Sequence, residues 1–148
     1  MEDLRQEWHS EVKNLVKAYA ATRAKLWSFE VEKKLSLGTV RESFFQAVSN
    51  SSWANYGYLV AAEIDKKADK ELRILCSLHG IGLIKLNVDN PVDSQIIIPA
   101  KEKSEVDRAT CDRLTKVSTD FKDFVSLVWQ FHRTGDPRPK DWDYYPGE

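Results

Sequence analysis

No apolar run in this sequence comes near the roughly 20 residues that a bilayer-spanning helix needs. That shortage predicts a chain with no membrane partner. The opening MEDLRQEWHS is polar and acidic at its start, unlike a secretory leader, and it points to a cytoplasmic protein. Cysteine is scarce too. Cys76 and Cys111 sit far apart and match no metal-binding spacing; they read as two reduced, partly buried thiols, with a structural disulfide between them as the alternative. His9, His79 and His132 are isolated from one another and from acids at ligand spacing, so they read as packing or surface residues. No Ser/His/Asp or Cys/His arrangement is legible. No Gly-rich phosphate fingerprint follows an apolar run, which counts against a Rossmann or P-loop nucleotide site. An excess of either charge is also missing: 22 Lys and Arg stand against 23 Asp and Glu, a net charge of −1. That balance argues against a strongly basic, sequence-independent nucleic-acid binder, yet leaves room for a local basic groove.

What is present is ordinary globular material. The 148 residues are 42% hydrophobic and 30% charged, with five Trp, five Tyr and six Phe to fill a core. The length suits one domain, taken as residues 1–135, followed by a Pro- and aromatic-rich tail over 136–148. Leu4, Trp8, Val12, Leu15, Val16 and Tyr19 recur at helical spacing and predict a first helix. From Leu26 the pattern alternates: Trp27, Phe29, Val31 and Leu35 fall on one side of a strand, Ser28, Glu30, Glu32 and Lys34 on the other. A helix follows from Thr39 to Asn50 with Val40, Phe44, Ala47 and Val48 as its inner stripe, then an apolar strand from Tyr56 to Ile64. Ala68, Leu72, Leu75, Cys76 and His79 mark a further helix stopped at Gly80. Strands over Ile81–Val88 and Gln95–Pro99 come next, the latter near a sheet edge because Pro99 has no N–H to donate. Ser104 with Asp107 predicts a capping box for a helix from Glu105 to about Lys116, and Ser118 or Thr119 caps a last helix. Strands separated by helices require crossovers, so the fold is α/β, a central mixed sheet of about four strands flanked by helices and parallel at least in part.

The residue of most chemical interest is Glu30, mid-strand between Phe29 and Val31, where an unpaired carboxylate is costly. Residues two apart on a strand share a face. Glu30 and Glu32 can therefore present two carboxylates together, the oxygen ligands that Mg²⁺ prefers, with Lys34 one step further along. Alternation of this kind is equally the mark of a strand with one solvent-facing polar side. Arg41, Glu42 and Gln46 on the next helix either face the sheet, where they would bind phosphate or orient water, or form exposed surface. Ser49, Asn50, Ser51 and Ser52 read as backbone-satisfying residues at that helix's end. Lys85 interrupts an apolar strand, either as a backbone-contacting cation or as a snorkelling side chain.

The segments LWSFEVEKKL, RESFFQAVSNSSWANYGYLVAAEI and LHGIGLIKL, from about Leu26 to Leu86, together resemble the C-terminal domain of HrgA-type restriction-associated proteins. That resemblance implies a restriction-endonuclease-like fold of the PD-(D/E)XK kind, DNA as partner, Mg²⁺ as cofactor, and a winged-helix or restriction-system partner in trans. Glu30 falls on the motif glutamate and Gln46 on the helix glutamine. Glu32 stands where the motif has lysine, and the upstream aspartate has no recognisable counterpart. Lys34 is the replacement lysine on the Glu30 side of the strand, whereas Lys33 points to the other face; Arg41, Lys33 and Lys85 are the phosphate or DNA contacts. The resemblance thus implies either a metal-dependent phosphodiesterase with Glu30, Glu32, Lys34 and Gln46 at its centre, or a silent relative that binds DNA or protein. A third reading is a self-associating module, a homodimer joined through Trp142, Tyr144 and Tyr145 of the tail.

Overall fold

The structure, a computed structural model, describes Val12 and residues 25–143. Val12 is helical and buried, and the rest of the first predicted helix lies outside the described residues. So do Tyr144 and Tyr145 of the tail. Two compact units are formed: residues 25–107 make one, and residues 108–143 belong to the other.

The first unit is built on strands β1 (Trp27–Leu35), β2 (Tyr56–Ile64), β3 (Gly82–Lys85) and β4 (Gln95–Ile98). They lie in the order β1-β2-β3-β4, with β1, β2 and β3 parallel and β4 antiparallel to β3. The sheet is therefore mixed and four-stranded. Helix α1 (Val40–Asn50) links β1 to β2 and helix α2 (Lys66–His79) links β2 to β3. Crossovers between adjacent parallel strands are right-handed, which places two successive helices on the same side of the sheet. The core bears this out: Val40, Phe44 and Ala47 of α1 and Ala68, Leu72 and Cys76 of α2 pack with Leu59, Ala61 and Leu83 of the sheet. Each helical set falls on one stripe at three- and four-residue spacing.

Local chemistry sets the element ends. Asp65 caps α2 by accepting a hydrogen bond from the Lys67 backbone N–H at 3.2 Å, and Gly80 closes it in the left-handed region at φ 70°. Between α1 and β2 the chain passes so close to itself that Gly57 has no space for a side chain. A Cβ there would lie 2.3 Å from Ser51 Oγ and 2.6 Å from Ser51 Cβ. The buried Ser51 beneath it receives the Lys103 ammonium, which donates to the Ser51 carbonyl at 2.6 Å and to its hydroxyl at 3.3 Å. Burial pulls the Lys103 pKa below its ordinary value.

Two sequence expectations change here. Strand β3 is shorter than Ile81–Val88, spanning only Gly82–Lys85. The helix expected from Glu105 begins three residues later, at Arg108. The reason is backbone pairing: the N–H groups of Lys101, Lys103 and Asp107 donate to the carbonyls of Gly80, Asn55 and Ser52. Residues 101–107 therefore form a strap tied to the first unit, and the helix starts only after it.

In the second unit, α3 (Arg108–Val117) and α4 (Thr119–Thr134) are separated by Ser118, whose hydroxyl caps α4 by accepting from the Phe121 N–H at 3.1 Å. The tail is held by Trp142, whose indole N–H donates to the Pro137 carbonyl at 2.6 Å and whose ring meets Phe124 edge-on at 6.1 Å. Among the described residues no helix is long and apolar enough to cross a membrane.

Candidate functional site

Strand β1 is an edge strand, and its two faces are used the opposite way round from a simple amphipathic strand. Trp27, Phe29 and Val31 are 48%, 54% and 61% exposed, whereas Ser28, Glu30 and Glu32 are half-buried. The register explains why. Glu30 lies beside Leu59 and Glu32 beside Ala61, the β2 residues that face α1 and α2, so the carboxylates point to the helical layer. Trp27 and Phe29 stand on the other face and stack on Tyr56 and Tyr58 at 4.9 and 5.8 Å between ring centroids. Leu35 belongs by parity to that aromatic face, yet at the strand's end it is fully buried and joins the helix-side core. The polar side of β1 is thus partly covered by the helical layer over Ser28, Glu30 and Glu32, and open at Lys34.

Helix α1 supplies what two carboxylates need in that position. The Asn50 side-chain amide donates to Glu30 Oε2 at 2.8 Å, and the Ser43 hydroxyl donates to Glu32 Oε1 at 3.3 Å. Ser28 completes the row by donating to the Asn50 carbonyl at 3.4 Å. Ser43 and Asn50 are seven residues apart, two helical turns, so they fall on one side of α1 and run antiparallel to β1. Ser43 is buried although polar, and Glu32 is its hydrogen-bond partner across the seam. The sequence marks neither Ser43 nor Asn50 as a carboxylate partner, and Asn50 reads there as a helix-end residue. Their seven-residue spacing opposite two alternating glutamates is the signal that points to the pairing.

The other candidates are distributed as follows. Lys34 shares the face of Glu30 and Glu32 and is exposed next to Glu63 at the end of the ladder. Lys33 is exposed and lies on the aromatic face by parity. Gln46 is exposed on α1, one turn before Asn50. Arg41 is engaged by Glu71 of α2 and so ties the two helices together. Lys85 lies on β3, separated from β1 by the whole of β2, and its ammonium donates to the Ala62 carbonyl. The structure therefore brings Glu30, Glu32 and Lys34 onto one strand face, with Gln46 on the helix above it, and leaves Arg41 and Lys85 elsewhere. Among the described residues, no three His, Cys, Asp or Glu side chains are grouped as a metal site.

At the other end of β1, Glu102 accepts from Lys25 at 2.8 Å and from the Tyr56 hydroxyl at 3.1 Å. The Lys25 hydrogen bond, then that of Tyr56, holds the Glu102 carboxyl below its ordinary pKa.

Compared with known proteins, the chain matches no family, no curated relative and no solved structure.

Proposed function

We propose that this chain is a restriction-endonuclease-like α/β domain that associates with DNA and has given up cleavage. The observation that carries the reading is the state of its two central acids. Glu30 and Glu32 each accept a hydrogen bond from α1, from Asn50 and Ser43 respectively, a use of carboxylates that needs no metal. Phosphate contacts come from Lys33 and Lys34, which project from the two faces of β1 at its exposed end.

The reading predicts saturable binding of a labelled DNA duplex, followed by fluorescence anisotropy across a salt series. Converting Lys33 and Lys34 to Met weakens binding and flattens the salt dependence, by about one unit of slope for each phosphate that the protein no longer neutralises. Glu30→Gln leaves affinity unchanged, and Mg²⁺ leaves the melting temperature unchanged. Absence of binding at low salt removes the DNA assignment.

A second reading has its own support. Glu32 and Lys34 stand two apart on the same helix-facing side, the carboxylate-x-lysine spacing, with Glu30 preceding them and Gln46 on the helix above. In a metal-dependent phosphodiesterase Glu30 and Glu32 would hold Mg²⁺, and Lys34 would stabilise the charge developing on the phosphate. Incubation of DNA with the protein and Mg²⁺ or Mn²⁺ separates the two readings. Cleavage that disappears in Glu30→Gln and in Glu32→Gln establishes the enzyme; an intact duplex in wild type leaves the binding domain.

A further inference from the structure

A groove of about 310 Å³ is lined by Ile64, Lys66, Asp69, Arg73, Lys85 and Ile97. Lys66, Asp69 and Arg73 lie at spacings of three and four on α2 and so share one side of that helix. Ile64 ends β2, Lys85 ends β3, and Ile97 comes from β4. The groove therefore opens beside the carboxyl ends of two parallel strands.

Its lining has two parts. Ile64 and Ile97 pack against the hydrophobic core and present an apolar floor. Around them stand three cations and one carboxylate, which leaves two net positive charges. Asp69 is already committed, since it accepts from Arg73 Nε at 2.9 Å, and this pairing leaves the terminal nitrogens of the Arg73 guanidinium available to a ligand. Lys85 uses one N–H on the Ala62 carbonyl, which anchors its ammonium and leaves two donors. A cation set between apolar neighbours on a strand is costly to desolvate, and an anion beside it offsets that cost.

We propose that this groove binds a phosphate monoester carrying a compact apolar substituent. The dianionic phosphate sits among Lys66, Arg73 and Lys85, and the substituent lies on Ile64 and Ile97. Two negative charges answer two net positive ones, and the guanidinium fork suits phosphate oxygens. The site is separate from the β1 carboxylates and does not depend on the DNA reading.

Phenyl phosphate, inorganic phosphate and benzyl alcohol serve as probes, titrated into the full chain and followed by NMR chemical shifts and calorimetry. Phenyl phosphate saturates a single site, inorganic phosphate binds more weakly, and benzyl alcohol gives no saturable change. Lys85→Met and Arg73→Met each weaken phenyl phosphate by roughly ten-fold or more. Ile97→Ser narrows the gap between phenyl phosphate and inorganic phosphate. Lys33→Met with Lys34→Met leaves phenyl phosphate binding intact, so failure of the DNA assignment and failure of this one are told apart. No saturable phenyl phosphate binding, or equal binding in wild type, Arg73→Met and Ile97→Ser, overturns the proposal. Should Lys85→Met fail to fold, the other two variants decide it.

Discussion

Cys76 is a titratable group that the fold holds away from water. It lies in the core between α2 and the sheet at 2% exposure, and burial raises its thiol pKa from 9.0 to about 11. The folded chain thus keeps the thiol neutral where the unfolded chain ionises it. Between about pH 9 and 11 the unfolded state binds fewer protons than the folded one, so this group's contribution to stability is complete below pH 9 and is lost as pH rises towards 11. Urea unfolding across that range shows a fall that Cys76→Ala lacks, although the variant is less stable throughout because it leaves a cavity. Equal alkaline slopes in the two proteins would contradict this account. The same burial keeps the native thiol unreactive towards disulfide reagents at neutral pH. A buried, reduced cysteine was legible in advance, since Cys76 falls on the inner stripe of a periodic segment. The hydrogen bonds of Glu30 and Glu32 were not legible in the same way, because they depend on which face of β1 the helix covers, and alternation alone is symmetrical between the two.

At the scale of elements, the signals that proved readable were those enforced within a few residues. Helix α2 shows this in its apolar stripe and its terminal Gly80, which are both local, and its structure follows them; the Asp65 cap at its other end is equally local but was not read from the sequence. Asp65 holds an extended backbone at φ −65° and ψ 134° while its side chain takes one of the N–H groups that the first turn leaves unpaired. Asp65→Ala therefore costs about 1 kcal/mol in denaturant unfolding, and Asp65→Asn or Asp65→Ser recovers most of it. A loss as large in Asp65→Ser as in Asp65→Ala would mean that the cap is not what Asp65 contributes. Signals that failed were those in which a distant partner competed with a local preference. Ser104 and Asp107 carry the spacing of a capping box for a helix from Glu105, but the helix starts at Arg108, after a strap whose backbone N–H groups bond to the carbonyls of Gly80, Asn55 and Ser52, 21 to 55 positions away in the chain. Strand β3 ends at Lys85 for a related reason: its apolar run continues, yet the β4 ladder against it reaches only from Leu83 to Lys85.

For the molecule as a whole, the decisive point is where the core residues fall in the chain. Every member of the main hydrophobic cluster, from Leu35 and Val40 through Ile81 and Leu83, lies within residues 25–107, as do all four strands of the sheet and both crossover helices. A unit of this size buries well over half of its unfolded surface, enough for a small domain to fold by itself. The segment 25–107 is therefore expected to be an autonomous domain, with a cooperative thermal transition by circular dichroism and dispersed amide resonances. The boundary matters, because the strap from Lys101 to Asp107 supplies three backbone hydrogen bonds to the loops and helix ends of this unit, and Lys103 adds its ammonium on Ser51. A shorter segment ending at Pro99 lacks all of these, leaves the buried Ser51 carbonyl without that donor, and should melt at a lower temperature than residues 25–107. If the two segments melt together, the strap contributes nothing to the unit. If residues 25–107 show no cooperative transition while the full chain does, the hydrophobic cluster around Phe44, Leu59 and Leu72 is insufficient alone, and the fold depends on residues outside it.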